Sequence, residues 1–115
     1  MKGKNFVELQ GTVNWPKMSF TANGTPRFQA TLSIPVEYES GGEMRTSQNY
    51  VPITAWAEIA QSMEGLTEGT PLKVHGRINI RNYDSTCKEC QAPMKRKWAE
   101  VVVDNYMELL PEDTD

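Results

Sequence analysis

Cysteine and histidine are scarce in this sequence, and long apolar runs are missing. The 115 residues include two cysteines and one histidine. No apolar run approaches the roughly 18 residues that a membrane span requires, and the Met-Lys-Gly-Lys start has no apolar signal-peptide segment. We therefore expect one domain in a reducing, cytoplasmic setting, with no membrane partner.

The sequence also lacks the side-chain combinations on which enzymes depend. His75 has neither a cysteine nucleophile nor an acidic pair at a useful spacing, and no glycine-rich phosphate loop is present. Cys87 and Cys90 have the spacing of half a zinc site, but a structural zinc ion needs four ligands. A zinc ion shared between subunits and a pair of free thiols both fit this spacing. We favour free thiols, no cofactor, and a binding protein rather than an enzyme.

Negative charge is concentrated near one end of the chain. The net charge is -3, but residues 100–115 contain six acidic residues and no basic one, which leaves residues 1–99 with a balance of +3. Association with a polyanion follows the local potential of a surface more than the total charge. The acidic sum therefore does not exclude nucleic acid as a ligand.

Alternation of apolar and polar residues predicts five strands, and helical spacing predicts one short helix. We expect strands over about residues 5–13, 28–36, 45–56, 72–83 and 97–109, and a helix over 57–64 that plugs one end of the sheet. Trp15-Pro16 should end the first strand because proline removes a ladder donor. Pro52 indicates an edge position or a bulge in the third strand. Gly65 suits the C-terminal cap of the helix.

The fourth predicted strand carries an unusual outer row. Its inward row is Leu72, Val74, Gly76, Ile78 and Ile80, and its outer row is Lys73, His75, Arg77, Asn79, Arg81 and Tyr83. Such a row can follow a phosphate backbone and offer a ring to a base, although a solvated strand face fits it as well. In the last strand the same alternation turns Met107 inward and Tyr106 outward.

The order of the elements indicates a fold. Five strands with one helix between the third and the fourth is the arrangement of the OB-fold barrel, whereas an SH3-like barrel or a small sandwich has no helix at that place. We predict an all-β, five-stranded OB-fold barrel over residues 1–110, followed by a short acidic tail over residues 111–115.

A set of motifs runs along the chain from Asn5 to about Leu110. They are Asn5-Phe6-Val7-Glu8-Leu9-Gln10-Gly11, Asn23-Gly24, Ala57-Glu58, Gly69, Val74, Gly76, Arg77 and Glu100-Val101-Val102-Val103. In these motifs the chain resembles the bacterial-type single-stranded DNA-binding protein family. The resemblance implies four aromatic positions that stack on DNA, and these are Tyr38, Tyr50, Trp56 and Tyr83.

Basic residues accompany these rings. We expect Lys73, Arg77 and Arg81 to neutralise phosphates, and the resemblance implies a DNA clamp at the hairpin that contains Lys95, Arg96 and Lys97. The expected function is sequence-tolerant binding of single-stranded DNA in replication, recombination or repair. Two alternatives stay open: an OB-fold subunit of a primosome or replisome, whose rings are buried by a partner chain, and a single-stranded RNA binder.

Two departures from the family pattern concern partners. Val51 stands where the family usually has a histidine that supports the tetramer, so we expect a homo-oligomer and favour a tetramer, with a dimer as the alternative. Pro-Glu-Asp-Thr-Asp at residues 111–115 is acidic but lacks the terminal phenylalanine of the family's tail tip. Recruitment of replication or repair proteins is therefore left open. We expect a nucleoid-associated location, and a phage or plastid-like origin also fits.

Overall fold

The computed structural model describes residues 1–86, 89 and 91–110. These residues form β1 (Val7–Phe20), β2 (Pro26–Ser40), β3 (Glu43–Trp56), α1 (Ala57–Met63), β4 (Pro71–Thr86) and β5 (Pro93–Glu108). The strands close into one barrel in the order β1-β2-β3-β5-β4. The predicted OB-fold, with its helix between the third and fourth strands, is confirmed. Cys87, Cys90 and the predicted acidic tail at residues 111–115 lie outside the described residues.

The barrel interior is built from the inward rows of all five strands and from the buried side of α1. The residues of this core are Val13, Phe28, Ala30, Leu32, Ile53, Ala55, Ala60, Met63, Leu66, Leu72, Val74, Val101 and Val103. Helix α1 packs against β2, β3 and β5 and buries Ala60 and Met63, so it plugs the barrel as predicted. At seven residues, this helix is too short to cross a membrane.

The first strand continues beyond Trp15 and Pro16, so the predicted end at these residues is wrong. The register of β1 with β2 shifts between Asn14 and Lys17, and this bulge accommodates the proline, which cannot donate a ladder hydrogen bond. Trp15 has a φ of 53°, in the left-handed region that a bulky side chain rarely adopts. Its backbone N–H donates to Oε2 of Glu68 at 2.7 Å, which helps to hold this conformation.

A second bulge reverses the predicted faces at the end of β5. The β4–β5 register shifts between His75 and Gly76 and leaves Asp104 as an extra residue in β5. One extra residue turns every following side chain to the other face. Tyr106 therefore packs against the core and Met107 is 54% exposed, which is the opposite of the prediction.

The inward row of β4 keeps its predicted alternation but is buried over only half its length. Leu72, Val74 and Gly76 are buried, whereas Ile78 and Ile80 are 49% and 59% exposed, so their predicted place in the core is wrong. Pairing between β1 and β4 ends at Gly76. Among the described residues, β5 is the only strand that pairs with β4 beyond Gly76, and the two strands form a long hairpin whose inner side stays largely exposed.

Two predictions about turns and edges have different outcomes. The φ of Gly65 is not positive, and the residue that caps α1 is Glu64, in right-handed helical geometry, so the expected glycine cap is wrong. Pro52 immediately precedes the two-residue parallel ladder between β3 and β5, at Ile53 and Thr54. Among the described residues β3 has no other pairing on that side, which is the edge-like environment that Pro52 indicated.

Candidate nucleic-acid interface

Three of the four predicted rings lie on outer faces of the barrel. Tyr50 and Trp56 alternate with the buried row of β3, and Tyr83 belongs to the outer row of β4. Their side chains are exposed to 58%, 37% and 46% respectively. Exposed aromatic side chains on a polar sheet face offer flat surfaces on which bases can stack.

Tyr38 lies on the opposite face of the β2–β3 ribbon. The pairing of β2 with β3 runs without a shift from Arg27 to Ser40, so Tyr38 shares the face of Leu32, which is in the core. It is nevertheless 46% exposed, because this part of the ribbon extends beyond the barrel. The structure therefore does not bring Tyr38 onto the surface that carries Tyr50 and Trp56.

Arg27 is a neighbour of Trp56 that the sequence reasoning missed. The two residues pair across β2 and β3, and the guanidinium lies 5.8 Å from the centre of the indole ring, within cation–π range. Nε of Arg27 donates to Oγ of Ser19 at 3.3 Å, which fixes the guanidinium beside the ring. The available signal was its place in the outward row of β2, directly after the Asn23-Gly24 turn.

A depression of about 410 Å³ lies where β2 approaches the β4–β5 hairpin. It is lined by Gln29, Arg81, Asn82, Tyr83 and Trp98. Trp98 is 43% exposed and pairs with Arg81 across β4 and β5. The alternation of β5 placed Trp98 on the outer face, but the sequence reasoning did not include it among the binding residues.

A second depression, of about 240 Å³, continues the first one across the barrel. It shares Gln29 and Trp98 with the first and extends to Trp15 and Lys17 on β1. The Trp15 ring lies 6.4 Å from the ring of Tyr50 at an angle of 36°. We call the two depressions together the outer groove. Trp15 lines one end of it, with the ring of Tyr50 as a neighbour outside the groove, and Tyr83 lines the other end.

Glu100 is a buried carboxylate on the floor of the outer groove. It is 4% exposed and accepts hydrogen bonds from Oγ1 of Thr54 at 2.7 Å and from Nδ2 of Asn79 at 3.3 Å. Nε of Arg81 lies 3.3 Å from Oε1 of Glu100, and Nη2 of Arg81 lies 3.3 Å from Oε2. These partners satisfy the buried charge, and in return Glu100 fixes the guanidinium of Arg81 in the groove wall.

The predicted phosphate ligands of β4 are all engaged in ion pairs. Nζ of Lys73 lies 3.4 Å from Oε1 of Glu8, Arg77 pairs with Asp104, and Arg81 pairs with Glu100. Lys73 precedes Arg81 by eight residues, which is about 26 Å along a strand. Only Arg81 among the three lines the outer groove.

The basic cluster of β5 is divided between the two faces of the hairpin. Arg96 pairs with Tyr83 and shares its face, whereas Lys95 and Lys97 alternate to the other face. Among the described residues, none of the three forms a salt bridge. Their charges are therefore less compensated than those of the basic residues on β4.

His75 takes part in a polar network on the outer face of β1, β4 and β5, away from the groove. Its Nε2 lies 2.8 Å from Oε1 of Glu8 and its Nδ1 lies 2.9 Å from Oδ1 of Asn105, so the protonated ring donates to both. The hydrogen bond with Asn105, followed by that with Glu8, raises the pKa of His75. The hydrogen bond from His75, with the charge of Lys73, lowers the pKa of Glu8. The ring of Phe6 stacks on the imidazole at 5.7 Å.

The described part of the chain offers no ready site for a metal ion. No three of its histidine, cysteine, aspartate and glutamate side chains are grouped so that they could hold one. The zinc hypothesis for Cys87 and Cys90 concerns residues outside that part and stays a hypothesis.

Comparison with known proteins yields a family and a fold. The model of the single-strand binding protein family matches residues 5–109, while curated proteins give no significant match. A deletion mutant of the single-stranded DNA binding protein from Thermus aquaticus has a TM-score of 0.78 and 21% identity, over 95% of this chain and 52% of that chain. The Plasmodium falciparum SSB complex with ssDNA has a TM-score of 0.80 and 16% identity, over 95% of this chain and 97% of that chain. This chain thus spans about half of the Thermus aquaticus chain.

Proposed function

Because the chain belongs to the single-strand binding protein family, we propose that it binds single-stranded DNA with little sequence preference. The observation that carries the proposal is the set of exposed rings, Tyr50, Trp56 and Tyr83, on the outer faces of the barrel. Every base has a flat π-face, so stacking on such rings tolerates all sequences. The proposed action is binding without a catalytic step. The Plasmodium falciparum SSB, a protein of the same fold, has been solved in complex with ssDNA.

Stacking on three rings can supply a large part of the free energy of binding. Each stacked base contributes about 1–3 kcal/mol, so three rings contribute about 3–9 kcal/mol before the cost of ordering the strand is subtracted. Arg96 beside Tyr83 and Arg27 beside Trp56 add positive charge next to two of these rings. We assign phosphate neutralisation mainly to these two residues with Arg81, Lys95 and Lys97.

Three of the residues expected to bind DNA receive a smaller part in this proposal. Lys73 and Arg77 are paired with acidic side chains outside the outer groove, so we expect each to contribute less than Arg96. Tyr38 contacts the DNA only if the bound DNA strand passes around the edge of the β2–β3 ribbon. Its position on the other face supports a contact near the end of the bound strand.

We also propose that the chain forms a homo-oligomer through the uncovered apolar end of the barrel. A depression of about 330 Å³ there is lined mainly by apolar side chains, among them Val7, Leu9, Val51 and Ile78. Tyr50 also lines it, so the proposed interface has to leave one face of this ring free for a base. Burial of such surface favours association. A tetramer is favoured and a dimer is the alternative, and light scattering with and without oligo(dT) distinguishes them. Replication, recombination or repair at the nucleoid is the proposed setting.

Fluorescence anisotropy with a labelled oligo(dT) tests the proposed function. We expect saturable binding at low salt, little change when dT is replaced by a mixed sequence, and much weaker binding of the matched duplex. A matched RNA oligomer belongs in the same series, because stacking alone does not distinguish the two sugars. Absence of binding to oligo(dT) at low salt contradicts the proposal, and tighter binding of RNA would make RNA the ligand.

A further inference from the structure

We propose that Trp15 and Trp98 are additional base-stacking positions, so that a single strand crosses the outer groove between Tyr50 and Tyr83. The inference rests on the proposed function, and it specifies the path of the polynucleotide over the barrel. Neither tryptophan is among the four aromatic positions that the family resemblance implies.

Trp98 occupies the middle of this path. It lines both depressions of the outer groove and is 43% exposed. It also pairs with Arg81, whose guanidinium is fixed in the groove wall by the buried carboxylate of Glu100. A ring beside an ordered guanidinium presents a stacking surface next to N–H donors that the carboxylate of Glu100 does not occupy, and a nucleotide can use both.

Trp15 is held at the entrance of the groove at a conformational cost. Its φ of 53° lies in the left-handed region, which costs a residue with a side chain roughly 1–2 kcal/mol. That conformation does not bury the indole, which is 67% exposed. Observed backbone strain of this kind clusters at ligand-binding sites. The hydrogen bond from its backbone to Glu68 and the neighbouring ring of Tyr50 support this position.

The charge of the groove suits a polyanion. Lys17 lines the second depression beside Trp15, and Arg96 lies next to Tyr83 at the far end. Neither forms a salt bridge with another described residue. The carboxylate of Glu100 on the floor is neutralised by Arg81. A DNA strand that follows the rings of Tyr50, Trp15, Trp98 and Tyr83 therefore passes a positive side chain at each end of the groove.

Strand order explains why these rings share one surface. Trp15 lies in β1 and Trp98 in β5, and the strands between them in the barrel are β2 and β3. The outer residues of these two strands, including Gln29, Thr31 and Pro52, form the floor between the two indoles. The floor is continuous, so a flexible polynucleotide can lie along it from one indole to the other.

The test uses the fact that the chain contains three tryptophans, Trp15, Trp56 and Trp98. Each reporter variant retains one of them and carries phenylalanine at the other two positions. Oligo(dT) is added to each reporter while binding is followed independently by anisotropy of a label on the DNA. We expect quenching of the emission of Trp15 and of Trp98 over the concentration range in which the DNA binds. Reporters that bind while either emission stays unchanged overturn the proposal.

Affinity measurements on Trp98→Ala and Trp15→Gly complete the test. Loss of one stacked base predicts a dissociation constant that is about 5- to 150-fold higher. Phe20→Ala is the matched control, since Phe20 is 65% exposed but shares the core-side face of β1 and should leave the affinity unchanged. If wild-type protein binds and either tryptophan variant binds equally tightly, the path is wrong and the proposed function stands. If wild-type protein does not bind, the proposed function itself fails.

Discussion

On the outer face of the barrel, a basic residue lies beside each of two exposed rings. Trp56 has its ring beside the guanidinium of Arg27, and Tyr83 has Arg96 directly across the hairpin. A cation adjacent to a ring lets one nucleotide use both its base and its phosphate. We propose that this pairing distinguishes the surface around Trp56 and Tyr83 from an ordinary solvated strand face.

Replacement of Trp56 by alanine tests the stacking role of the least exposed of these rings. We expect a loss of about 1–3 kcal/mol in binding to oligo(dT), measured by anisotropy titration. Met107→Ala is a suitable control, because Met107 is exposed and pairs with Lys73 outside the groove. Unchanged affinity of the Trp56 variant would show that this ring only supports the structure.

The His75 network predicts a raised pKa that can be measured directly. His75 is the single histidine of the chain, so its ring protons can be followed by NMR over a pH titration. We expect a pKa above the ordinary value of 6.5, and a decrease toward that value in Asn105→Ala. The Lys95→Ala variant should not change it. A wild-type pKa at or below 6.5 contradicts the network.

The sign of the corresponding pH dependence follows from linkage. A histidine whose pKa is raised on folding stabilises the folded state fully below pH 6.5, and this contribution is lost as the pH rises through the folded pKa. Glu8 has a lowered pKa, so its contribution is present above pH 4.5 and is lost as the pH falls through the folded pKa. The network therefore stabilises the β1–β4–β5 sheet most between pH 4.5 and pH 6.5.

Residue spacing was informative about some of these positions and not about others. Tyr50, Trp56 and Tyr83 follow from alternation and from the family pattern. Trp15 could not be predicted as a groove residue because Trp15-Pro16 was interpreted as the end of a strand, whereas the structure places a bulge there. Alternation assigned Trp98 to the correct face. That Trp98 lines one groove together with Gln29 of β2 depends on how β2 packs near the β4–β5 hairpin. Local patterns do not contain that information.

At the scale of the elements, close approach between β4 and β5 depends on Gly76. A Cβ atom at this position would overlap the carbonyl oxygen of Val102. Overpacking of this kind costs typically 1–3 kcal/mol, so Gly76→Ala should lower the free energy of unfolding by about that amount in a denaturant titration. Gly65→Ala is the control, because a Cβ atom added at Gly65 would meet no other atom within 4 Å and the φ of Gly65 is not positive. Equal stability of the two variants would contradict the packing described for this pair of strands.

The two bulges explain where the prediction of the elements failed. Strand periodicity identified all five strands, but an extra residue in β1 and another in β5 changed which side chains face the core beyond them. For this reason Tyr106 faces the core and Met107 faces solvent, which reverses the predicted faces. A period-two pattern has no marker for such an insertion when the residues on both sides of it are apolar or amphipathic.

For the whole molecule, the order of strands and helix was sufficient to predict the OB-fold, since few small barrels place a helix between the third and fourth strands. The exposure of Ile78 and Ile80 was not predictable in the same way. It depends on where β1 stops accompanying β4, which is a property of the assembled barrel and not of either strand.

The distribution of charge also belongs to this scale. The chain is acidic in total, yet residues 1–99 carry a positive balance, and Lys17, Arg81 and Arg96 adjoin the outer groove. A protein that neutralises phosphates releases counterions, so its affinity must fall as salt concentration rises. Salt dependence therefore reports whether the groove meets the polynucleotide backbone.

The most direct test of DNA binding by these rings and cations is a titration of the intrinsic tryptophan fluorescence with oligo(dT) at a series of salt concentrations. We expect quenching at low salt. We also expect the logarithm of the binding constant to fall linearly with the logarithm of salt concentration, with a slope of about -0.7 for each phosphate contacted. Unchanged emission at the lowest salt concentration would contradict the central claim that exposed rings and positive side chains of this barrel hold a single strand of DNA.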